Sequence, residues 1–162
     1  MTQEEKSLLL QELCTRLPFG VIVRHADPLI DNDGNETGEF WYKRGYLCDI
    51  TTLDDMTTTI IESEGSDAEG YEHICFLERT LPYLRPMLSM TEEEKRHISK
   101  MMCLRTYDDG VVHDMTYPVY TPYYVMEDCL SYLRSIHVDY SGLIEKNLAL
   151  EAKEGMYNIN EK

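Results

Sequence analysis

The sequence has no apolar run of about 18 residues, so no membrane-crossing helix is expected. Neither G-x-x-x-x-G-K nor G-x-G-x-x-G occurs, so there is no recognisable phosphate-cradling glycine loop. H-E-x-x-H and G-x-S-x-G are also missing, which removes the motif-based readings as a zinc peptidase or serine hydrolase. Cations are scarce: 15 Lys and Arg stand against 30 Asp and Glu, a net charge of −15. Binding to a nucleic-acid phosphate backbone needs Lys and Arg, and is not expected. Five cysteines, Cys14, Cys48, Cys75, Cys103 and Cys129, form no C-x-x-C pair, and their number is odd. Reduced, mostly buried thiols in a cytoplasm are the simplest account. Residues 1–13 have no basic stretch ahead of their leucines and no small-residue cleavage site, so a secretory leader is not expected.

What is present is ordinary globular material, 43% hydrophobic and 28% charged. The acidity is unevenly spread. Residues 27–80 hold 14 Asp and Glu against 3 Lys and Arg, a net −11 of the chain's −15. Such a region favours solubility, a basic protein partner, or mimicry of nucleic acid. Asp31, Asp33, Glu36, Glu64, Asp67 and Glu69 are its candidate acidic face. The run from Asp31 to Glu36 invites a calcium reading. With Gly34 at loop position 6, however, positions 1 and 12 are Leu29 and Phe40, and the ligand pattern fails.

Thr2 and Glu5 have the spacing of a capping box and open a helix over 3–16. Its apolar stripe is Leu9, Leu10, Leu13, Cys14 and Leu17, extended by Leu8, and Pro18 ends it. Strands are expected over 19–25, 40–51, 57–63 and 71–77, with a loop over 27–38 and an acidic loop over 64–70. Within 71–77, Ile74 and Phe76 alternate with Tyr71, His73 and Cys75. These strands predict a small antiparallel sheet or barrel.

Pro82 and Pro86 each remove a backbone donor, so a regular helix or central strand is not expected over 81–87. Thr91 and Glu94 repeat the capping box and open a helix over 91–103. Asp108-Asp109-Gly110 suggests a hairpin of strands 104–107 and 111–115. Thr121 followed by Pro122 starts a helix to about 137, with Val125, Met126, Cys129, Leu130, Leu133 and Ile136 on its inner face. Ser141 caps a last short helix. The reading is α+β: an N-terminal helix and acidic β lobe over 1–80, a proline segment over 81–90, and a mostly helical part over 91–162.

The histidines His25, His73, His97, His113 and His137 are scattered and offer no ligand spacing, so neither a metal nor another cofactor is expected. Aromatic residues offer a better candidate. Trp41, Tyr117, Tyr120, Tyr123 and Tyr124 carry large, stiff rings, four of them around two prolines, and suit either a binding groove or a core junction.

Three blocks carry a resemblance: LLLQELCTRLPFGVIV (8–23), LPYLRPMLSMTEEEK (81–95) and HVDYSGLIEKNLALEAKEGMYN (137–158). In these blocks and their order the chain resembles a group of small proteins of gut Bacteroidales and of their phages and mobile elements. No activity is assigned to that group, so it supplies no catalytic residues. It implies a cytoplasmic bacterial or phage setting. The chain departs from the group over 104–124, where a tyrosine-rich helix is usual. The reading that follows is a non-enzymatic acidic interaction protein, an accessory of a phage or mobile element, with an anti-defence role as one form. The alternatives are a small-ligand binder that stacks a nucleotide on Trp41 and the tyrosines, and an enzyme without a recognisable motif.

Overall fold

The computed structural model describes residues 1–53, 56–63, 72–108 and 123–157; among these, the side chains of 53, 63, 103–108, 123 and 124 are left aside. The chain is α+β. Helix α1 (Gln3–Arg16) is followed by strands β1 (Ile22–Ile30), β2 (Glu36–Leu53), β3 (Met56–Ser63), β4 (Glu72–Phe76) and β5 (Thr80–Pro86). Helices α2 (Glu92–Asp108) and α3 (Tyr123–Ser135) come next, then two short strands, β6 (Val138–Asp139) and β7 (Leu150–Glu151). Both expected capping boxes form. Thr2 Oγ1 accepts from Glu5 N and Glu5 accepts from Thr2 N, and Thr91 and Glu94 exchange the same two bonds.

The strands form an open sheet, not a barrel, in the order β4-β3-β2-β1-β5-β6, with β7 also beside β5. The first five strands pair antiparallel, while β6 and β7 pair with β5 in parallel. The sheet curls strongly: Thr59 of β3 bonds His25 of β1 and Thr80 of β5, although β2 lies between β3 and β1. Inside the curl, α1 packs Leu9 and Leu13 with Val21, Val23, Leu47, Ile61, Leu77 and Leu84. Each such leucine contributes about 1.5–3 kcal/mol through burial. The helix stripe is narrower than its spacing suggests, because Cys14 is exposed while Glu12 and Arg16 are buried. The thiols divide: Cys75 and Cys129 are buried, Cys14 and Cys48 exposed.

Several expectations need correction. The loop expected over 27–38 shrinks to a turn at 31–35, because β1 continues to Ile30 and β2 starts at Glu36. Polar residues do not stop a strand that pairs on a solvent-facing stretch, and Asp27 pairs with Trp41. The proline segment is a strand with neighbours on both sides, contrary to expectation. Pro82 pairs with Val23 where the β1 ladder ends. Beyond it the Tyr157 hydroxyl stands between the strands, accepting from Ile22 N at 2.9 Å and donating to Tyr83 O at 2.8 Å. On the other edge, Arg85 N donates to His137 O and Ala152 N donates to Leu84 O. None of these bonds asks a proline for a donor. The expected strand over 104–107 is helical, since α2 runs on to Asp108; 111–115 lies outside the described residues. The helix expected from Ser141 is absent among the described residues. Asp139 instead accepts from the amides of Leu143 and Ile144, holding a turn between β6 and β7.

Candidate functional site

Cross-strand register sorts the sheet residues into two faces, because directly paired residues point the same way. Tyr46 pairs with Glu62, and Glu62 with Glu72. Ile60 pairs with Ile74, and Thr58 with Phe76. These residues share the outer face, whereas their neighbours Leu47, Thr59, Ile61 and Cys75 are buried on the inner one. The outer face carries large apolar groups into solvent: Ile74 is 66% exposed, Tyr46 45% and Phe76 43%. Single exposed apolar residues are ordinary, but side-by-side ones on a pleated surface mark interaction sites. Arg79 sits 5.8 Å from both the Phe40 and Phe76 ring centroids and holds Glu36 through two contacts of 3.0 and 3.2 Å. Glu62 and Glu72 stand directly opposite each other, an unfavourable like-charge pair, and neither has a cationic partner among the described residues.

The inner face holds a polar cluster closed to solvent. Thr59 Oγ1 lies 3.0 Å from His25 Nε2, 2.6 Å from Thr80 Oγ1 and 3.3 Å from Cys75 O, and Thr80 Oγ1 donates to Phe76 O. Each hydroxyl has one proton. When Thr59 gives its proton to Cys75 O or to Thr80 Oγ1, it accepts from a His25 ring protonated on Nε2. Nδ1 then has no hydrogen-bond partner among the described residues. Burial is the main cause that lowers the His25 pKa to about 4, so the ring is neutral near pH 7. Burial also pushes the Cys75 thiol up, which makes it a poor nucleophile. With His25 fully buried, this cluster serves the sheet, not a substrate.

The aromatic candidates do not assemble as expected. Trp41 is exposed, but it alternates away from Phe40 and Tyr42 along β2. Tyr123 and Tyr124 open α3, with their side chains among those set aside, and Tyr117 and Tyr120 lie outside the described residues. Of the acidic candidates, Asp31 accepts from the amides of Asp33 and Asn35, and the Asn35 amide above all holds its carboxyl below the usual range. Its charge is used in the turn. Glu36 is paired with Arg79, and Asp33 is exposed. Glu64, Asp67 and Glu69 lie outside the described residues. Glu62, Glu72 and Tyr46 are not among the site residues expected from the sequence. Alternation within 72–76 is the signal that bears on them: it places Ile74 and Phe76 on one side of the strand without saying which side faces inward.

The histidines stay apart. His73 Nδ1 lies 3.0 Å from Lys43 Nζ, His97 packs on Tyr132, and His137 stacks on Tyr157 with centroids 3.7 Å apart. His113 is outside the described residues. Among the described residues no three His, Cys, Asp or Glu side chains converge to hold a metal, and no helix is long and apolar enough to cross a membrane. Comparison with family models, with curated proteins and with solved structures finds no match.

Proposed function

We propose that the protein is a non-enzymatic interaction protein whose outer sheet face docks a basic protein. The observation that carries this reading is the Glu62–Glu72 pair set beside exposed Ile74, Tyr46 and Phe76. Apolar contact supplies the affinity of such a face. A lysine or arginine from the partner would relieve the like-charge repulsion, and the net charge of −15 would speed encounter with a basic surface. The resemblance to phage and mobile-element proteins makes a basic bacterial or phage protein the partner class, and an anti-defence role the first to test.

The test uses tagged full-length protein on bacterial lysate at low and high salt, alongside Glu62→Lys/Glu72→Lys. A basic protein held by the native chain, released at high salt and absent from the variant supports the reading, since contacts of this kind are screened. Equal retention by both chains overturns it. So does self-association that the double variant abolishes, because the face would then belong to a second copy.

A further inference from the structure

Away from the β3–β4 end of the outer face lies a cleft of about 430 Å³, formed by β1, β2, the start of α1 and the turn that follows β6. That volume suits a small organic molecule. Its wall carries Arg24, Phe40, Tyr42 and Lys146, and Glu5 and Glu78 also reach it. Arg24 and Tyr42 belong to neighbouring strands, on the same face and two positions apart in register, and the Arg24 guanidinium lies 4.5 Å from the Tyr42 ring centroid. Stacking fixes the plane of the guanidinium and leaves its N–H donors at the edge free to bond.

Charge in the cleft is unbalanced in a chain that is otherwise short of cations. Lys6, Arg16, Lys43, Arg79, Arg85, Lys95 and Arg134 are each tied to a carboxylate. Arg24 has no carboxylate partner among the described residues, and the Lys146 ammonium donates only to the carbonyls of Ser141 and Gly142. The two acids nearby are already engaged: Glu5 in the capping box of α1, and Glu78 with Lys6. The cleft therefore presents Arg24 and Lys146, neither bonded to a carboxylate among the described residues, beside two aromatic rings, with Tyr42 58% and Phe40 39% exposed; Glu5 keeps its own negative charge on the same wall.

We infer that this cleft binds a small planar anion of the nucleoside monophosphate class, its phosphate held by Arg24 and Lys146 and its ring stacked on Tyr42 or Phe40. Arg makes forked contacts to phosphate oxygens, Lys adds a point charge, and base–aromatic stacking tolerates different bases. The cleft meets the β3–β4 surface at Arg79, which lines it and lies 5.8 Å from the Phe76 ring centroid, but the inference does not depend on a protein partner there.

Calorimetric titration of the full chain with AMP, GMP, CMP and UMP tests the inference, with adenosine and inorganic phosphate as partial ligands. At least one nucleoside monophosphate is expected to bind, each partial ligand roughly tenfold more weakly. Arg24→Gln should weaken binding by roughly tenfold or more, as should Tyr42→Leu, while Tyr42→Phe should leave it unchanged. No nucleotide binding tighter than about 1 mM overturns the inference. So does adenosine binding as tightly as AMP, or phosphate binding as tightly with no effect of Tyr42→Leu. Should a variant not fold, the ring NMR signals of Tyr42 and Phe40 in the native chain decide: they shift on AMP addition if the inference holds, and stay still if it fails.

Discussion

On the inner face of the sheet the apolar groups packed around α1 are closed to solvent, while Trp41 near the start of β2 stays exposed, and His25, Thr59 and Thr80 are joined by hydrogen bonds. On the outer face Ile74, Tyr46 and Phe76 reach solvent, and two glutamates confront each other across β3 and β4. Alternation along a strand treats both faces alike, so the difference comes from what covers them. The inner face tolerates His25, Thr59 and Thr80 because their hydrogen bonds close on each other and on carbonyls. The outer face keeps isoleucine and phenylalanine in water, at a free-energy cost that a partner would remove.

The inner side should break hardest where a charge is buried. Arg16 is fully buried; it bonds Glu12 Oε2 at 3.1–3.2 Å and Val138 O at 2.9 Å. Glu12 also accepts from Ser141 Oγ. Glu12→Ala leaves that guanidinium without its counter-charge and should cost about 3–5 kcal/mol in urea unfolding. A loss under about 1 kcal/mol would mean that water reaches Arg16.

His25 gives the next effect, and it depends on pH. The ordinary imidazole pKa is 6.5, and burial lowers it to about 4 in the folded chain. Between those values the unfolded chain binds a proton that the folded chain refuses. Stability from this group is thus complete above pH 6.5 and falls as the pH drops toward 4, by about 3 kcal/mol in all. His25→Gln can still donate to Thr59 and does not titrate. Carboxylates contribute equally to both chains, so the native-minus-variant difference should shrink over that window; parallel curves would place the ring in contact with solvent.

Tyr157 tests the strand that the sequence disguised. Tyr157→Phe strands the Ile22 amide and the Tyr83 carbonyl between β1 and β5, for an expected loss of about 1–3 kcal/mol. No loss in thermal unfolding would mean that the two strands close on each other directly. The same spot shows what was legible. Capping boxes, the α1 leucines and the existence of strands β1 to β4 rest on local chemistry and are found, although β1 and β2 run on through most of the loop expected over 27–38. Strand β5 was hidden because its prolines are accommodated by bonds from residues 137, 152 and 157, far along the chain. Inward and outward were hidden for a related reason. By hydrophobicity Ile74 and Phe76 belong inside and His73 and Cys75 outside, yet the curl that brings Thr59 to His25 places Cys75 in the interior.

The smallest expected effect on stability sharpens the comparison most. Ile74→Ser removes an apolar side chain that is 66% exposed on an edge strand, so the unfolding free energy should change by no more than about 0.5 kcal/mol. Its partner across the strand, Ile60, keeps its own position on β3. If the outer face exists to be covered, the same substitution should sharply weaken capture of the basic partner, because truncation of a central apolar anchor costs binding without costing the fold. A variant that unfolds more easily by several kcal/mol would show that Ile74 already packs within its own chain. A variant equal to the native chain in both stability and capture would remove the outer face from the binding surface and leave the charge alone to explain any partner.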